Sequence, residues 1–203
     1  MPDRANCSPI QAEFFIFDDV RYEVSMNHTF YRIDDSEGPY NAGAEFEAGN
    51  IGHRPPIGGG YFPVPPVDST SDLRAEMLSV IREMGVETEK HHHEVAPSQA
   101  ELGIKFETLV RVADNMQIYK YAVHNVAHSY GKTATFMPKP VMDDNGSGMH
   151  VHQSIWKEGK PTFAGSGYAD LSDTALYYIG GIIKHARALN AFSNPLTARK
   201  SVV

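Results

Sequence analysis

The sequence predicts an α+β fold in which a curved, mostly antiparallel sheet is backed by helices. Short runs such as residues 12–17 and 91–94 have the composition and spacing of strands. Three longer segments, near residues 70–84, 108–128 and 172–192, repeat apolar residues at helical spacing. Amphipathic helices bury their apolar stripe against a sheet, so ligand-binding side chains are expected on the opposite, concave face.

The first strand, residues 12–17, is aromatic and carries a single acid, Glu13. A lone carboxylate on a buried strand needs a cation or a polar partner. Residues 34–66 are rich in Gly, Asp, Asn and Pro, which predicts a long ordered loop of the kind that often carries function. Residues 68–71 offer caps for the first helix, whose apolar stripe is Leu73, Met77, Val80, Ile81 and Met84.

The later elements follow from the same spacing rules. The strand that bears three histidines leads to the second helix, whose inner side is expected to carry Leu109, Val112, Met116, Tyr119 and Val123. The inner stripe of the third helix is expected to be Leu176, Ile179, Ile183 and Ala186. Gly180 and Gly181 mark a place where another element is expected to pack tightly.

Composition narrows the classes of function. The 203 residues are 41% hydrophobic and 21% charged, enough for one substantial core or part of a larger domain. A net charge of −7 without a long basic stripe argues against nucleic-acid binding. Cys7 is the only cysteine, so we expect no internal disulfide and a cytoplasmic location. No apolar run approaches the roughly 18 residues of a membrane-spanning helix.

The richest chemistry lies in the run from His91 to Glu101, which holds three imidazoles and two carboxylates. On a strand, residues two apart share a face, so His92 and Glu94 point together while His91 and His93 point away. Glu101 returns after a proline bend, and two carboxylates can then flank one divalent cation. The alternatives are an expression tag or a solvated polar strand, but tags occur at chain termini and this run is internal.

A second cluster spans residues 143–154. Its glycines let the backbone approach a ligand closely, and His150 and His152 share one face of the strand that leaves the loop. A loop of Asp, Asn, Gly and Ser is by itself more often a turn, and a His-x-His pair alone also fits core or surface histidines. In combination with the first cluster, the pair indicates the floor of a ligand site.

Together the two clusters and the first strand offer a metal-ligand set dominated by carboxylates: Glu13, Glu94, Glu101 and His150. Such a set suits Mg²⁺ or Mn²⁺ better than a structural zinc, for which thiolates are absent. Hard cations of this kind usually serve phosphate chemistry. The chain has no complete Walker-type phosphate loop, because Gly131-Lys132-Thr133 lacks the preceding glycine of that motif, so a nucleotide site would be of another kind.

Six ordered segments carry a resemblance to a known family. They are residues 12–22 (AEFFIFDDVRY), 58–68 (GGGYFPVPPVD), 90–103 (KHHHEVAPSQAELG), 117–140 (with YKYAVHNVAH and GKTATFMPKP), 144–154 (DNGSGMHVHQS) and 175–195 (ALYYIGGIIKHARALNAFSNP). Together they resemble the catalytic domain of bacterial type I glutamine synthetase. The resemblance implies an incomplete barrel with three parts, which are a leader or junction segment (residues 1–10), a partial catalytic domain (11–197) and a divergent tail (198–203).

The resemblance also implies an activity, the ATP-dependent condensation of glutamate with ammonia through γ-glutamyl phosphate, with two Mg²⁺ or Mn²⁺ ions. By motif position, Glu13, Glu94 and Glu101 hold one ion, which orients glutamate and ammonia. His150 matches a ligand of the second ion. Because a metal-bound imidazole must be neutral, binding there is expected to weaken below a pH of about 6.5.

Substrate contacts follow from the same motif positions. Asn145, Gly146 and His150 match the residues that hold glutamate, and Tyr61 matches a catalytic-site tyrosine near the ammonia site. The residues that match the ATP side are Glu89, Phe106, His152 and Ser154. In this comparison the phenyl ring of Phe106 lies beside the adenine.

The chain departs from the family pattern in three places. Gln11 stands where a second glutamate is expected as a ligand of the looser ion, and a neutral amide is a poorer ligand. Only residues 1–10 precede the partial catalytic domain, so the family's small N-terminal β-grasp domain is expected to be missing. Residues 196–203 replace the family's Asn-Ser-Tyr-Lys-Arg continuation, which suggests a frameshift or a cloning junction.

Three functions remain as hypotheses. The first is glutamine synthetase, with negligible activity expected of the 203-residue polypeptide by itself. The second is a γ-glutamyl-amine ligase that uses a polyamine or alkylamine in place of ammonia, which a panel of amines would distinguish. The third is a non-catalytic metal-binding or interaction fragment that joins intact synthetase rings. The family's dodecamer is doubtful for such a fragment, and uncovered helix faces and strand edges are expected to favour aggregation.

Overall fold

A long central strand organises the molecule. The computed structural model describes residues 4–41 and 52–193, with side chains from Ile10 onward. The strands are β1 (Arg4–Phe17), β2 (Asp19–Val24), β3 (Thr29–Asp34), β4 (Thr88–His93), β5 (Gln99–Ile104), β6 (Glu107–Thr108), β7 (Thr133–Thr135), β8 (Met149–Lys157) and β9 (Lys160–Pro161). The helices are α1 (Ser71–Glu83), α2 (Leu109–Ser129) and α3 (Asp173–Ser193). The predicted tail and residues 42–51 of the predicted loop lie outside the described residues.

Most of the strands form one main sheet, in which neighbouring strands pair antiparallel. The main sheet has the order β4-β5-β1-β8-β9, and the short strands β6 and β7 also pair with β1. β2 and β3 form a separate hairpin. The main sheet curls into a half barrel accompanied by the three helices, which confirms the predicted α+β fold.

The two faces of β1 have different roles, because successive side chains of a strand alternate. Ala12 and Phe14 belong to the main core, which the sheet shares with α1 and α2. Glu13 lies on the opposite face, as does Phe15, which packs in a smaller cluster with Ala96. The strand predicted for residues 12–17 is confirmed, and its single acid is on the face away from the helices.

β1 is longer than the sequence predicts. It begins at Arg4, and its first residues pair with β8, where Arg4 is opposite Trp156 and Asn6 is opposite Ser154. The strand therefore runs through much of residues 1–10, which the motif comparison assigns to a leader or junction segment. The domain boundaries themselves stay a prediction.

Helices α1 and α2 cover the core face of the sheet. On α1, Leu73, Met77 and Ile81 are buried, whereas Met84 caps the helix and is 41% exposed. The predicted stripe of α2 is buried at Val112, Met116, Tyr119 and Val123. Leu109, the first residue of α2, is exposed. The predicted stripes are thus confirmed except at the helix ends.

The predicted caps of α1 form an ion-pair cluster instead of a side-chain cap. Thr70 is the N-cap residue, but its side chain makes no capping hydrogen bond in the described part of the chain. Its hydroxyl oxygen accepts from Arg74 Nη1 at 2.6 Å, and Arg74 also pairs with Asp68. Burial of both charged side chains makes this pair an internal support of the helix start.

The prediction for α3 is wrong in its packing. The stripe expected to be inner is exposed at Leu176, Ile179 and Ile183. Ala175 is the buried residue of this helix, and a Cβ added at Gly180 or Gly181 would have no described atom within 4 Å. Helical periodicity reveals an apolar stripe, but it does not reveal whether another element covers it.

The two longest helices, α2 and α3, are not membrane spans despite their length. Both α2 and α3 have 21 residues. Within residues 4–41 and 52–193, none of the helices combines the length and the apolar character needed to cross a bilayer.

Candidate metal centre

Three side chains from the β4-β5 hairpin converge on one point. Nε2 of His92 lies 2.8 Å from Oε1 of Glu94 and 3.7 Å from Oε2 of Glu101. One possible ligand atom from each residue lies within 4.8 Å of the others, and all three residues are buried. A compact set of nitrogen and oxygen donors of this kind can bind a divalent cation.

Strand register explains this convergence. His92 on β4 pairs directly with Glu101 on β5, so their side chains share a face. Glu94 follows the end of β4, and its N–H donates to the carbonyl of Gln99 at 2.8 Å, which closes the turn. The prediction that His92 and Glu94 point together, with Glu101 returning beside them, is confirmed by this geometry.

Glu13 approaches the same point from the neighbouring strand. It pairs with Glu101 across β1 and β5, and its side chain is 11% exposed. Its Oε2 accepts hydrogen bonds from the N–H of Gly148 and from Nε2 of Gln99, both at 2.9 Å. The lone acid of the first strand therefore has the polar partners that its burial requires.

His150 stands at the more open side of the cluster. Its Nε2 lies 3.5 Å from Oε1 of Glu13, and its side chain is 62% exposed. On β8 it pairs with Gln11 of β1, so the position that departs from the family pattern lies directly beside it. Gly148 allows the close approach, because a Cβ there would lie 3.3 Å from Oε1 of Glu13.

The electrostatics of the cluster favour a bound cation. Burial raises the pKa of Glu101; the charge of His92 opposes this rise, while Glu94 and Glu13 add to it. Burial also raises the pKa of Glu13, against the hydrogen bond from Gly148. Among the described residues, none makes a hydrogen bond with the buried Oε1 of Glu101. A divalent cation would stabilise the ionised carboxylates and give this oxygen a ligand bond, so the residues fit a metal.

Two aromatic rings cover the imidazole of His92. Phe62 stacks on it with ring centroids 4.3 Å apart, and Tyr61 meets it edge-on at 5.8 Å. Tyr61 remains 60% exposed. The loop is fastened to the hairpin by the N–H of Gly60, which donates to the carbonyl of Val95 at 2.8 Å. The structure therefore places Tyr61 beside the cluster through contact with an imidazole.

The loop before β8 brings Gly146 to the cluster but leaves Asn145 exposed. The carbonyl of Gly146 accepts from Nε2 of Gln99 at 3.0 Å, and the same amide donates to Glu13. The N–H of Asn145 donates to Asp144 within the loop. Gln99 thus ties together the first strand, the hairpin and the loop, a role that its position in the sequence does not reveal.

The residues assigned to the ATP side have no polar link to the carboxylates in the described part of the chain. Glu89, Phe106 and His152 are exposed. Ser154 is half-buried, and its hydroxyl accepts from Nε1 of Trp156 at 3.1 Å. The structure does not bring these four side chains together with the metal-ligand set, so their assignment stays a prediction.

The buried pair of Glu37 and His93 lies beside the turn that carries Glu94, and the sequence pattern assigned neither residue a role in the site. Glu37 and His93 are almost fully buried, and Nε2 of His93 donates to Oε2 of Glu37 at 2.7 Å. Burial alone would raise the pKa of Glu37. The hydrogen bond and charge of His93 overcome this effect, with help from Ser69 and Ser98, and the pKa falls to about 2. The partners are 56 residues apart, so no spacing rule predicts the pair.

Comparison with known proteins gives a consistent family assignment. The family model described as the catalytic domain of glutamine synthetase matches residues 5–199. The glutamine synthetases of Azospirillum brasilense and Rhizobium meliloti (strain 1021) are 73% and 67% identical to the chain over 187 residues. Each match covers 92% of this chain and 40% of the relative, so the chain spans about two fifths of the length of these relatives.

Solved structures show the same similarity in three dimensions. The cryo-electron microscopy structure of Plasmodium falciparum glutamine synthetase superposes with a TM-score of 0.87 at 30% identity, covering 98% of this chain and 39% of that one. The ligand-free form of the protein GmaS superposes with a TM-score of 0.72 at 27% identity, covering 98% and 41%. Both comparisons include the half-barrel sheet and the hairpin that carries the cluster, since they span almost the whole chain.

Proposed function

The chain belongs to the glutamine synthetase family, as part of its catalytic domain, and from this premise we propose that the carboxylate cluster holds a divalent cation of an ATP-dependent glutamate-ammonia ligase. In that reaction the γ-carboxylate of glutamate takes a phosphoryl group from ATP. Ammonia then displaces phosphate from the γ-glutamyl phosphate to form glutamine. Because the chain spans about two fifths of its relatives' length, turnover is proposed for a protein of their full length.

The buried cluster of His92, Glu94 and Glu101, with Glu13 paired to Glu101 across β1 and β5, carries this proposal. Several buried carboxylates that share a site repel one another unless a cation is present. The donors are mainly oxygens, which favours Mg²⁺ or Mn²⁺ as the ion. Such a cation supplies neutralising charge between the anionic carboxylate of the substrate and the anionic phosphate of ATP.

The other proposed roles follow from the positions of the side chains. His150, at the open side, is the proposed ligand of a second cation, whose binding Gln11 weakens because an amide carries no charge. The exposed phenol of Tyr61 can hydrogen-bond a small polar substrate such as ammonia. Asn145 and Gly146 are proposed to bind glutamate. The proposed ATP contacts are Glu89, Phe106, His152 and Ser154.

Metal titration tests the proposal on the chain itself. We expect the purified chain to bind Mn²⁺ saturably in a calorimetric titration, and Glu101→Gln to raise the Kd more than about 100-fold, because it removes a charged ligand. The matched control is Glu87→Gln, which neutralises an exposed carboxylate paired with Lys105. A wild-type chain that binds no Mn²⁺, or equal affinities for the two variants, would contradict the proposed centre.

Turnover tests the reaction separately. In a protein extended to the length of the relatives, phosphate release from ATP is expected to depend jointly on glutamate and ammonium. A panel of alkylamines and polyamines in the same assay distinguishes ammonia from the amine substrates of a γ-glutamyl-amine ligase. The same proposal implies that the protein is cytoplasmic and forms a homo-oligomer. Sedimentation of the same protein would test the assembly.

A further inference from the structure

The carboxylate of Glu37 collects hydrogen bonds from three separate segments. Its Oε1 accepts from the N–H and the hydroxyl of Ser69, at 2.9 and 2.6 Å. Its Oε2 accepts from Nε2 of His93 at 2.7 Å and from the N–H of Ser98 at 3.0 Å. Glu37 is 2% exposed, so these four bonds replace the water that the charge has lost.

Two of these donors lie on opposite sides of the turn between β4 and β5, the turn that carries Glu94 and leads to Glu101. His93 directly precedes Glu94, and its Nδ1 donates to the carbonyl of Glu94 at 2.6 Å. Ser98 lies at the far end of the turn, where its φ of 66° reverses the chain toward Glu101. Glu37 therefore binds the turn at both of its ends, and the turn sets the position of Glu94 relative to Glu101 on β5.

We infer that Glu37 is a positioning residue for the proposed metal centre, because through His93 and Ser98 its carboxylate holds the turn in the shape that brings the ligand carboxylates together. The inference rests on the proposed function. Glu37 has no hydrogen bond to a ligand side chain in the described structure, so it acts on the geometry of the turn. Groups that orient metal ligands from outside typically change metal affinity about 10- to 100-fold when they are replaced.

The turn needs external support because its own ligands oppose one another. Before a cation binds, the carboxylates of Glu94 and Glu101 repel each other across a space bridged by the imidazole of His92. A turn that is free to open would relieve this repulsion and separate the ligands. A turn held at both ends keeps them at binding distance, which lowers the cost of ordering the site when the cation arrives.

The test is the Mn²⁺ affinity of the purified chain, measured by calorimetry alongside thermal unfolding. Glu37→Gln preserves the size of the side chain, removes its charge and puts an amide NH2 group in place of an oxygen that accepts two of the four bonds. We expect the Kd for Mn²⁺ to rise about 10- to 100-fold. The matched control is Asp68→Asn, which neutralises the buried partner of Arg74, a pair without a described hydrogen bond to the turn. It should lower the unfolding temperature and leave the Kd within about twofold of wild type.

Ser69→Ala gives a second, milder test if Glu37→Gln does not fold. Ser69 is exposed, and its replacement removes only the hydroxyl bond to Glu37, so we expect a rise in Kd of about two- to tenfold with little change in unfolding temperature. Unchanged Kd values would overturn the inference while leaving the metal centre in place. Equal weakening by Glu37→Gln and Asp68→Asn would also overturn it, because the cause would then be general destabilisation. A wild-type chain without Mn²⁺ binding would overturn the proposed centre, and this inference with it.

Discussion

Helices α2 and α3 have the same length and a similar apolar spacing, yet their surroundings differ. Eight residues of α2 are buried, whereas α3 buries one. α2 lies against β1, the strand that carries Glu13, and its Tyr119 donates to a backbone carbonyl of that strand. In the described structure the apolar stripe of α3 is exposed. The difference shows that spacing specifies a helix and its stripe, while burial depends on which other segment packs there.

The largest expected difference in stability is between substitutions of two phenylalanines, one in the core beneath α2 and one on α3. Phe14 is fully buried and its ring contacts Tyr119 and Phe136, so Phe14→Ala should lower the free energy of unfolding by about 3 to 5 kcal/mol. Phe192, near the end of α3, is 94% exposed, and Phe192→Ala should change it by less than about 0.5 kcal/mol. Urea unfolding monitored by circular dichroism measures both. A large loss at Phe192 would show that α3 is packed in solution.

Alanine substitutions at two glycines are expected to change stability in opposite directions. A Cβ on Gly60 would lie 2.9 Å from the carbonyl oxygen of Val95, so Gly60→Ala should cost about 1 to 3 kcal/mol and weaken Mn²⁺ binding. A Cβ on Gly180 meets no described atom within 4 Å, so Gly180→Ala should stabilise the helix by about 0.5 to 1 kcal/mol. Thermal unfolding and the helical signal at 222 nm report both. A destabilising Gly180→Ala would break the comparison, because it would reveal a partner on α3.

A hydroxyl on α2 provides a smaller test of the packed region. Tyr119 is fully buried, and its hydroxyl donates to the carbonyl of Ala12 at 2.7 Å. Tyr119→Phe leaves that carbonyl without its donor and should cost about 1 to 2 kcal/mol in urea unfolding. Tyr121→Phe on the exposed side of the same helix is the control and should cost less than about 0.5 kcal/mol. Equal costs would mean that the hydrogen bond between α2 and β1 contributes nothing.

Two buried carboxylates that precede α1 in the chain, Asp35 and Glu37, are expected to make stability depend on pH between about 2 and 7. The pKa of Glu37 is lowered to about 2 from 4.5, so its stabilisation is complete above about pH 4.5 and disappears as the pH falls toward 2. Burial raises the pKa of Asp35 to about 7 from 3.8, so its ionisation lowers stability as the pH rises between these values. Glu37→Gln should flatten the acid side of the stability profile, and Asp35→Asn the side between pH 4 and 7. Unfolding free energies measured across pH 2 to 8 would contradict this if both variants followed the wild-type profile.

The spacing of residues along the chain predicts most of the strands and helices. It also predicts part of the site. The two-residue period of a strand predicts that His92 and Glu94 share a face, and the structure confirms it with a 2.8 Å contact. The lone acid of the aromatic strand predicted that Glu13 belongs to the same ligand set, and in the structure it pairs with Glu101. No such rule applied to Gln99, whose amide joins Glu13 to Gly146, because that role depends on three segments meeting.

The amino-acid sequence by itself determined the strands and helices, the carboxylate-rich ligand types and the family, because these follow from periodicity, side-chain chemistry and ordered motifs. The tertiary structure alone decided which apolar stripes are covered, and it paired Glu37 with His93 across 56 residues. The physical reason is that burial and long-range hydrogen bonds depend on contacts between distant segments. Such contacts leave no local pattern in the chain.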